Sequence, residues 1–302
     1  MKIKRRPHRE SRNAERIAYV VFILAALACI LPILLMGIAS FTDNDILNRQ
    51  GYSFFPEKWS LAAYQFLFTQ SGAIIRSFGV SVVVTAIGTI AGLFCTMMLA
   101  YALSREDLPG GRALMFFVVF TLLFNGGMVP TYFMYVNYLH IKNTLFGQLI
   151  PSLLVNGFNV MLMRTYFRNN IPKELIESAH MDGAGELRTF FKIVLPISTP
   201  ILATVGLLIG ISYWNDWYNG MLYVTDAELF SMQNYLNKIM MDIQFLSQNG
   251  NVTSDANSIM ANIPSGTVRM AMAFVATIPV ILIFAFVRKY FAKGLTMGSV
   301  KG

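Results

Sequence analysis

The amino-acid sequence predicts an all-α integral membrane protein with six transmembrane helices. Of its 302 residues, 55% are hydrophobic and only 13% charged, against roughly 25% charged in an average soluble domain. Mean hydropathy is +0.53, and so little charge cannot coat one or two soluble domains of this length. The apolar residues gather in six blocks, each near the ~20 residues that a helix needs to cross a hydrocarbon core of about 30 Å. Within the blocks there is no strand-like alternation, and helices satisfy their own backbone groups inside lipid, so helices are the economical reading over the strands of a membrane barrel.

A basic tail, 1–16, opens the chain. The first span, 17–40, carries no charge; it is too long for the apolar core of a signal peptide and no small-residue cleavage site follows, so it reads as a retained anchor. After an outer loop, 41–77, comes the second uncharged span, 78–104, where Gly88 and Gly92 permit close helix approach. The third span, 113–136, follows Arg112, and the fourth, 144–163, stops at Arg164. An inner loop, 164–196, leads to the fifth span, 197–219, which holds Asp216 near its far end. An outer segment, 220–267, precedes the sixth span, 268–287, and the tail 288–302 begins with Arg288 and Lys289. Pro32, Pro130 and Pro279 lie inside spans. They predict kinks, because neighbouring helices in a membrane bundle can satisfy the carbonyls that proline frees.

Charge fixes the expected orientation. With the N-terminus cytoplasmic, the segments 1–16, 105–112, 164–196 and 288–302 hold 18 of the 24 Lys and Arg and 8 of the 16 acids. The net +8 thus divides into +10 inside and −2 elsewhere, which is the positive-inside pattern and places both termini in the cytoplasm. That distribution makes the positive balance a topology signal, so no nucleic-acid partner is expected. Cys29 and Cys95 both fall in apolar runs and support neither a disulfide framework nor a cysteine-based zinc site.

The inner loop has conformational punctuation of its own. Pro172 suits a first helical turn, Glu174 complements the positive end of the helix dipole, and Gly183 can take the left-handed conformation that ends a helix. A second short helix is expected from about Glu186, stopping before Pro196. Leu175, Ile176, Ala179 and Met181 are apolar in a segment too polar for the bilayer, so they need a protein partner or the underside of the bundle.

Glu177-Ser178-Ala179, three residues, Gly183, nine residues and then Ile193-Val194-Leu195-Pro196 resembles the Glu-Ala-Ala loop of the permease subunits of bacterial ATP-binding-cassette importers. Ser178 departs from the Ala most often found there, a small change that still packs. The resemblance implies a type I importer permease fold in which this loop forms cytoplasmic coupling helices seated in a cleft of the ATPase. It implies ATPase-coupling roles for Glu177, Ser178, Ala179, Asp182, Gly183, Ile193, Leu195 and Pro196. The ending from Arg288 to Gly302 is similar to that of maltose-type carbohydrate permeases. The stretch from Gly51 through Phe54-Phe55-Pro56-Glu57-Lys58-Trp59 to Tyr64 is similar to a lineage associated with uronate-containing or lipo-oligosaccharide substrates. Two copies of a cytoplasmic ATPase, a second permease subunit that is related but different, an extracytoplasmic solute-binding protein and an oligosaccharide are the implied partners, all at the bacterial cytoplasmic membrane. ATP and Mg belong to the ATPase, and this chain is expected to bind no cofactor or metal.

Candidate substrate-pathway residues come from the residues themselves. Trp214, Asn215, Asp216 and Trp217 close the fifth span; aromatic faces stack on sugar rings and Asn or Asp binds hydroxyls. Trp and Tyr also collect at membrane interfaces as anchors, whereas an acid at membrane depth faces a cavity or a partner. Asn125 in the third span, followed by Gly126, Gly127 and Pro130, marks either a polar path or a kink with a satisfied side chain. In the segment 220–267, Leu229, Met232, Leu236, Ile239, Met240, Ile243 and Leu246 recur at helical spacing opposite Gln233, Asn237, Lys238 and Asp242, which predicts an amphipathic helix. It could lie on the membrane, on a neighbouring subunit or against a binding protein. The polar stretch 248–258 reads as a loop.

These features favour a non-enzymatic permease of an ATP-driven carbohydrate importer. No Gly-x4-Gly-Lys-Ser/Thr loop is present, so ATP hydrolysis needs a separate chain. An importer of a non-sugar solute remains the alternative. A stand-alone secondary transporter fits less well, since no internal repeat is evident. An intramembrane enzyme is disfavoured because His8, His140 and His180 fall in tails or loops and no His-Glu-x-x-His occurs.

Overall fold

A computed structural model describes residues 9–69, 71–249 and 265–297. They are predominantly helical, with no strand among the described residues beyond an isolated antiparallel bridge, Thr42 to Trp59. The chain divides into two compact units, Met1–Gln70 with Met240–Thr277, and Ser71–Ile239 with Ile278–Gly302.

In the first unit, α1 (Arg9–Ser40) contains Pro32 and shows exposed apolar side chains along most of its length, from Ile17 to Leu34. Such a continuous apolar surface requires lipid or protein cover. Two short helices follow, α2 (Asn44–Gln50) and α3 (Ala62–Thr69). They are tied by a Ser40 to Tyr64 hydroxyl contact of 2.8 Å, stacking of Phe41 on Tyr64 at 4.7 Å, and a Lys58 to Asp43 ion pair of 2.7 Å. The last helix of the chain, α15 (Ser265–Met297, named after the intervening elements below), begins in this unit. Its Gly266 lies so close to Leu47 that a Cβ would come within 2.9 Å.

The second unit is built around α4 (Ser71–Ser104), which packs along α8 (Gly157–Asn170) and α12 (Thr199–Trp214). Its core runs through Val84, Met97, Tyr101, Val160, Phe167, Val205 and Ile209. In lipid the hydrophobic effect does not drive helices together, so contact depends on small residues and internal hydrogen bonds. Both are present. A Cβ on Gly88 would sit 2.5 Å from the Tyr213 ring, and one on Gly92 would sit 3.1 Å from the Leu154 carbonyl oxygen. The Tyr213 hydroxyl donates to the Leu149 carbonyl at 2.7 Å. The expected packing role of this glycine pair is what the structure shows.

The helices depart from uninterrupted spans in three places. Among the described residues three helices are continuous and apolar enough to cross a membrane: Glu15–Ser40, Gly72–Ser104 and Gly266–Ala285. The block expected at 113–136 is broken. Here α5 (Gly111–Leu123) and α6 (Met128–Phe133, continued by a π turn, Met134–Tyr138) meet at 118°. Phe124 is extended and Gly127 has φ +84°, which only glycine adopts freely, so the chain turns back and Tyr132 stacks on Tyr223 at 5.8 Å.

The block expected at 144–163 is not one helix either. A single turn, α7 (Phe146–Leu149), ends before Pro151, and α8 starts only at Gly157, capped by Asn156. Pro151 has no N–H to continue the ladder, and the broken segment's carbonyls are met from elsewhere: Leu149 by Tyr213, and Pro151 by the Asn219 amide at 3.0 Å.

The block expected at 197–219 begins within a second bent pair, Glu186–Ile197 with Thr199–Trp214, angled at 85°. Pro200 supplies no N–H to the Pro196 carbonyl, and the Thr199 hydroxyl takes that acceptor instead at 2.8 Å. The helix ends at Trp214, and α13 (Tyr218–Tyr223) is a separate element. A 3₁₀ turn, Ala227–Leu229, then leads to the expected outer helix, α14 (Met232–Asn249). Phe230 and Met232 are buried, while Met240, expected on the covered face, is 44% exposed. Most of the loop expected at 248–258 lies outside the described residues.

Candidate functional site: a paired-helix loop and an apolar groove

The segment after α8 forms α9 (Lys173–Met181), then α10 (Glu186–Thr189), a π turn (Phe190–Val194) and α11 (Leu195–Ile197). Pro172 stands at the N-cap of α9 with Glu174 in its first turn. Gly183 ends it with φ +77°, and the Ala184 N–H reaches back to the Ala179 carbonyl at 2.9 Å. This is the left-handed helix stop that frees the chain to reverse. The second helix does not stop before Pro196 as expected. It passes Pro196 and ends at Ile197, because the π turn precedes Pro196 and the proline falls in the first turn of α11, where its missing N–H is tolerated.

The two faces of this pair differ. Ile176, Ala179, Phe190 and Val194 are buried, and Leu175, Ile193 and Leu195 are half-buried. Glu177, Ser178, Asp182, Gly183 and Pro196 are exposed. Met181 is 89% exposed and Leu187 63% exposed, an apolar surface with carboxylates beside it. Ser178 turns its hydroxyl back to the Glu174 carbonyl at 2.8 Å, so it is satisfied within its own helix.

Ion pairs and one buried tyrosine pin the inner face to the end of α4. The Tyr101 hydroxyl donates to Glu186 at 2.9 Å, and its ring lies 4.8 Å from Phe190. Arg105 and His180 approach the other Glu186 oxygen at 3.4 and 3.3 Å. Glu106 receives Lys173 at 2.7 Å and Arg168 at 3.3 Å. The Lys173 hydrogen bond and charge, with Arg168 behind them, hold the Glu106 carboxyl below the usual carboxylate range. The Arg164 guanidinium caps the end of α4 by donating to the Leu103 carbonyl at 2.8 Å. Sequence reasoning misses the anchoring contacts to the end of α4 and the turn after it, since they join residues 61 to 85 positions apart. The charge-rich 105–107 turn is the available signal.

The candidate pathway residues divide. Trp214 is buried, meets Phe78 edge-on at 5.7 Å, and lines a groove of ≈ 540 Å³ between α4, α12 and the 279–283 turns of α15. Thr85 and Thr89, one helical turn apart, also line it, and neither hydroxyl has a hydrogen-bond partner among the described residues. Asn215 is at the end of α12, and Asp216 accepts from the Asn219 N–H at 3.2 Å, capping α13. Trp217 is 45% exposed, edge-on to Tyr218 at 5.9 Å. Asn125 sits at the α5–α6 bend, where its side chain accepts from the Gly127 N–H at 2.9 Å, the satisfied kink of the two readings offered by the sequence. The groove threonines escape a sequence reading; their i, i+4 spacing in a charge-free helix is the clue. Among the described residues no group of His, Cys, Asp and Glu is arranged to hold a metal.

Apolar helices with broken spans, together with a polar two-helix projection pinned to their end, define a polytopic membrane protein. Residues 92–297 match the family model of the binding-protein-dependent transport system inner membrane component. The chain belongs to that family: it is a multi-pass transport permease of the ABC class, not a catalytic enzyme. It is 38% identical over 299 residues to the polygalacturonan/rhamnogalacturonan transport system permease protein YtcP of Bacillus subtilis (strain 168), covering 97% of this chain and 100% of that protein. Protein LplC of the same organism is 34% identical over 90% of both chains. A crystal structure of a bacterial ABC transporter involved in the import of the acidic polysaccharide alginate contains a chain 30% identical, with a TM-score of 0.78, over 95% of this chain and 100% of that one.

Proposed function

We propose that this chain is one permease half of an ATP-driven oligosaccharide importer, with uronate-containing chains as the first candidates for substrate. The observation that carries the reading is the paired-helix loop, which presents Glu177, Met181, Asp182 and Leu187 outward while Tyr101, Arg105 and Glu106 fasten its inner side. An exposed apolar residue flanked by charge suits docking into a partner's cleft. We assign Glu177, Ser178, Ala179, Asp182 and Gly183 to that docking helix and turn, and Ile193, Leu195 and Pro196 to the joint with α12. The substrate class is supported by one relative, whose name specifies polygalacturonan and rhamnogalacturonan, and by the alginate transporter.

In this reading the chain makes six passes through the bacterial cytoplasmic membrane, with both termini and the 164–196 loop cytoplasmic, as the charge distribution favours. The bent pair α5 with α6 counts as the third pass, α7 with α8 supplies the fourth, and α12 supplies the fifth. A second permease, a different one, completes the pathway. Two cytoplasmic ATPases hold ATP and Mg and perform hydrolysis, and a solute-binding protein delivers the sugar. Trp214 with Thr85 and Thr89 faces the route, while Asn215, Asp216, Trp217 and Asn125 shape the bends beside it. Reconstitution with these partners tests the reading: binding protein loaded with oligogalacturonate should stimulate ATP hydrolysis and uptake. The double variant Glu177→Lys, Gly183→Pro should abolish the stimulation. Retained stimulation in that variant would refute the coupling assignment.

A further inference from the structure

A second cavity, ≈ 820 Å³, opens where α4 ends and α5 begins, and four arginines line it: Arg105, Arg112, Arg164 and Arg168. Glu106 is the one acid in the lining. Arg105 is neutralised by Asp107 and Glu186, and Arg168 shares Glu106 with Lys173. Arg112 and Arg164 have no carboxylate partner among the described residues, so the cavity keeps two uncompensated positive charges. Gly110, at the N-cap of α5, has no side chain to cap the helix, and the Gly111 N–H is taken by the Leu108 carbonyl at 3.1 Å, so the attraction for an anion rests on the arginines. Leu103, Leu108 and Met115 supply an apolar floor.

What lies above this cavity identifies the ligand. Phe116 and Phe120, on one face of α5, and Phe124, just past its end, follow Arg112 at intervals of four, and their rings form a ladder with centroids 6.1 and 4.6 Å apart. All three are exposed, at 63%, 43% and 62%. From Arg112 to Leu123, the last residue of α5, the helix rises about 16 Å, comparable to one leaflet's share, about 15 Å, of the hydrocarbon core. A soluble anion would use the arginines and leave the ladder bare.

We propose that this cavity binds the phosphate headgroup of an anionic phospholipid of the inner leaflet, with an acyl chain laid along the Phe116, Phe120 and Phe124 ladder. The proposal rests on the membrane placement given under the proposed function, because it needs the α5 N-terminus at the cytoplasmic surface, where basic pockets between helices meet anionic lipid.

The test is native mass spectrometry of the assembled transporter, equilibrated with equal amounts of phosphatidylglycerol and phosphatidylcholine. The wild type should retain phosphatidylglycerol preferentially. Arg112→Gln should lower its occupancy about five-fold, Arg112→Lys should keep most of it, and Phe120→Ser should weaken it with the charge intact. Equal retention of the two lipids, or no effect of Arg112→Gln, would overturn the proposal. Displacement of the lipid by millimolar inorganic phosphate would reduce the cavity to a general anion site and overturn it too. Binding to the isolated chain but not to the assembled transporter would make this face a subunit interface, which equally rules the lipid site out. ATPase stimulation by the binding protein is read in the same preparations: intact stimulation without lipid preference removes only the lipid site, whereas lost stimulation in the wild type removes the importer reading.

Discussion

The Tyr101 hydroxyl donates to Glu186 at 2.9 Å across 85 positions of sequence, joining a long apolar helix to the second helix of the paired-helix loop. Tyr101→Phe removes this hydrogen bond and leaves the ring against Phe190. Glu186 is half exposed, so the loss should be about 1 kcal/mol, near the low end for a bond to a charged group. The assembled transporter should melt slightly earlier, and ATP hydrolysed per sugar imported should rise while hydrolysis by the isolated ATPase is unchanged. Paired measurements of uptake and phosphate release check this.

Gly183 has φ +77° and open space where a Cβ would stand. Gly183→Ala should therefore be penalised by backbone conformation alone, about 1 kcal/mol. Gly183→Asn should recover part of it, since Asn tolerates the left-handed region. Retention of the ATPase on the purified permease, compared across the three proteins, gives the order Gly, Asn, Ala.

Met181 is 89% exposed in this chain. Met181→Asp should leave the permease's own thermal unfolding unchanged and weaken ATPase retention about ten-fold or more, since full burial of a Met side chain is worth about 1.5–3 kcal/mol. Equal retention of wild type and variant would show that this residue does not dock.

Gly88→Ala places a methyl 2.5 Å from the Tyr213 ring. Overpacking of this kind costs about 1–3 kcal/mol, and the yield and melting temperature of the purified protein should fall. Gly79→Ala, on the same helix with nothing within 4 Å of its Cβ, is the matched control and should be silent. Tyr213→Leu should relieve the clash only in the Gly88→Ala background.

Glu106 has its carboxyl held below the ordinary range, first by Lys173 and then by Arg168. A depressed folded-state pKa contributes stability above the unfolded value, near 4.3, and that contribution is lost as pH falls through the folded value. Melting temperature should therefore decline below about pH 4.3 more steeply in the wild type than in Glu106→Gln, as a pH series of thermal melts would show.

Residues that govern backbone geometry make the paired-helix loop legible in the sequence. Pro172, Glu174 and Gly183 each act within a turn or two, so their spacing already specifies a helix, a stop and a reversal. The apolar blocks are legible as membrane material but not as continuous helices, because hydropathy sums side chains and ignores whether Pro151 or Pro200 can donate to the ladder. The run from Trp214 to Trp217 reads as one cluster for a related reason. The helix ends inside it, so the buried Trp214 lines the groove while Asp216 caps the next helix. Contacts such as Tyr101 with Glu186 depend on the folded bundle bringing distant residues together, and no local pattern encodes them.

In the proposed coupling, the joint at Ser198 would set the mechanical gearing of the chain. Because Glu186–Ile197 and Thr199–Trp214 meet at 85°, a push along the first rod reaches the second as a sideways force at its base. The second rod has 16 residues and is about 24 Å long. A basal shift of about 2 Å with its far end held swings it through about 5° on that length. Tyr213 and Trp214 at the far end, one wedged against Gly88 and the other against Phe78, are then the fulcrum of the lever, and their fit decides how much of the stroke becomes tilt.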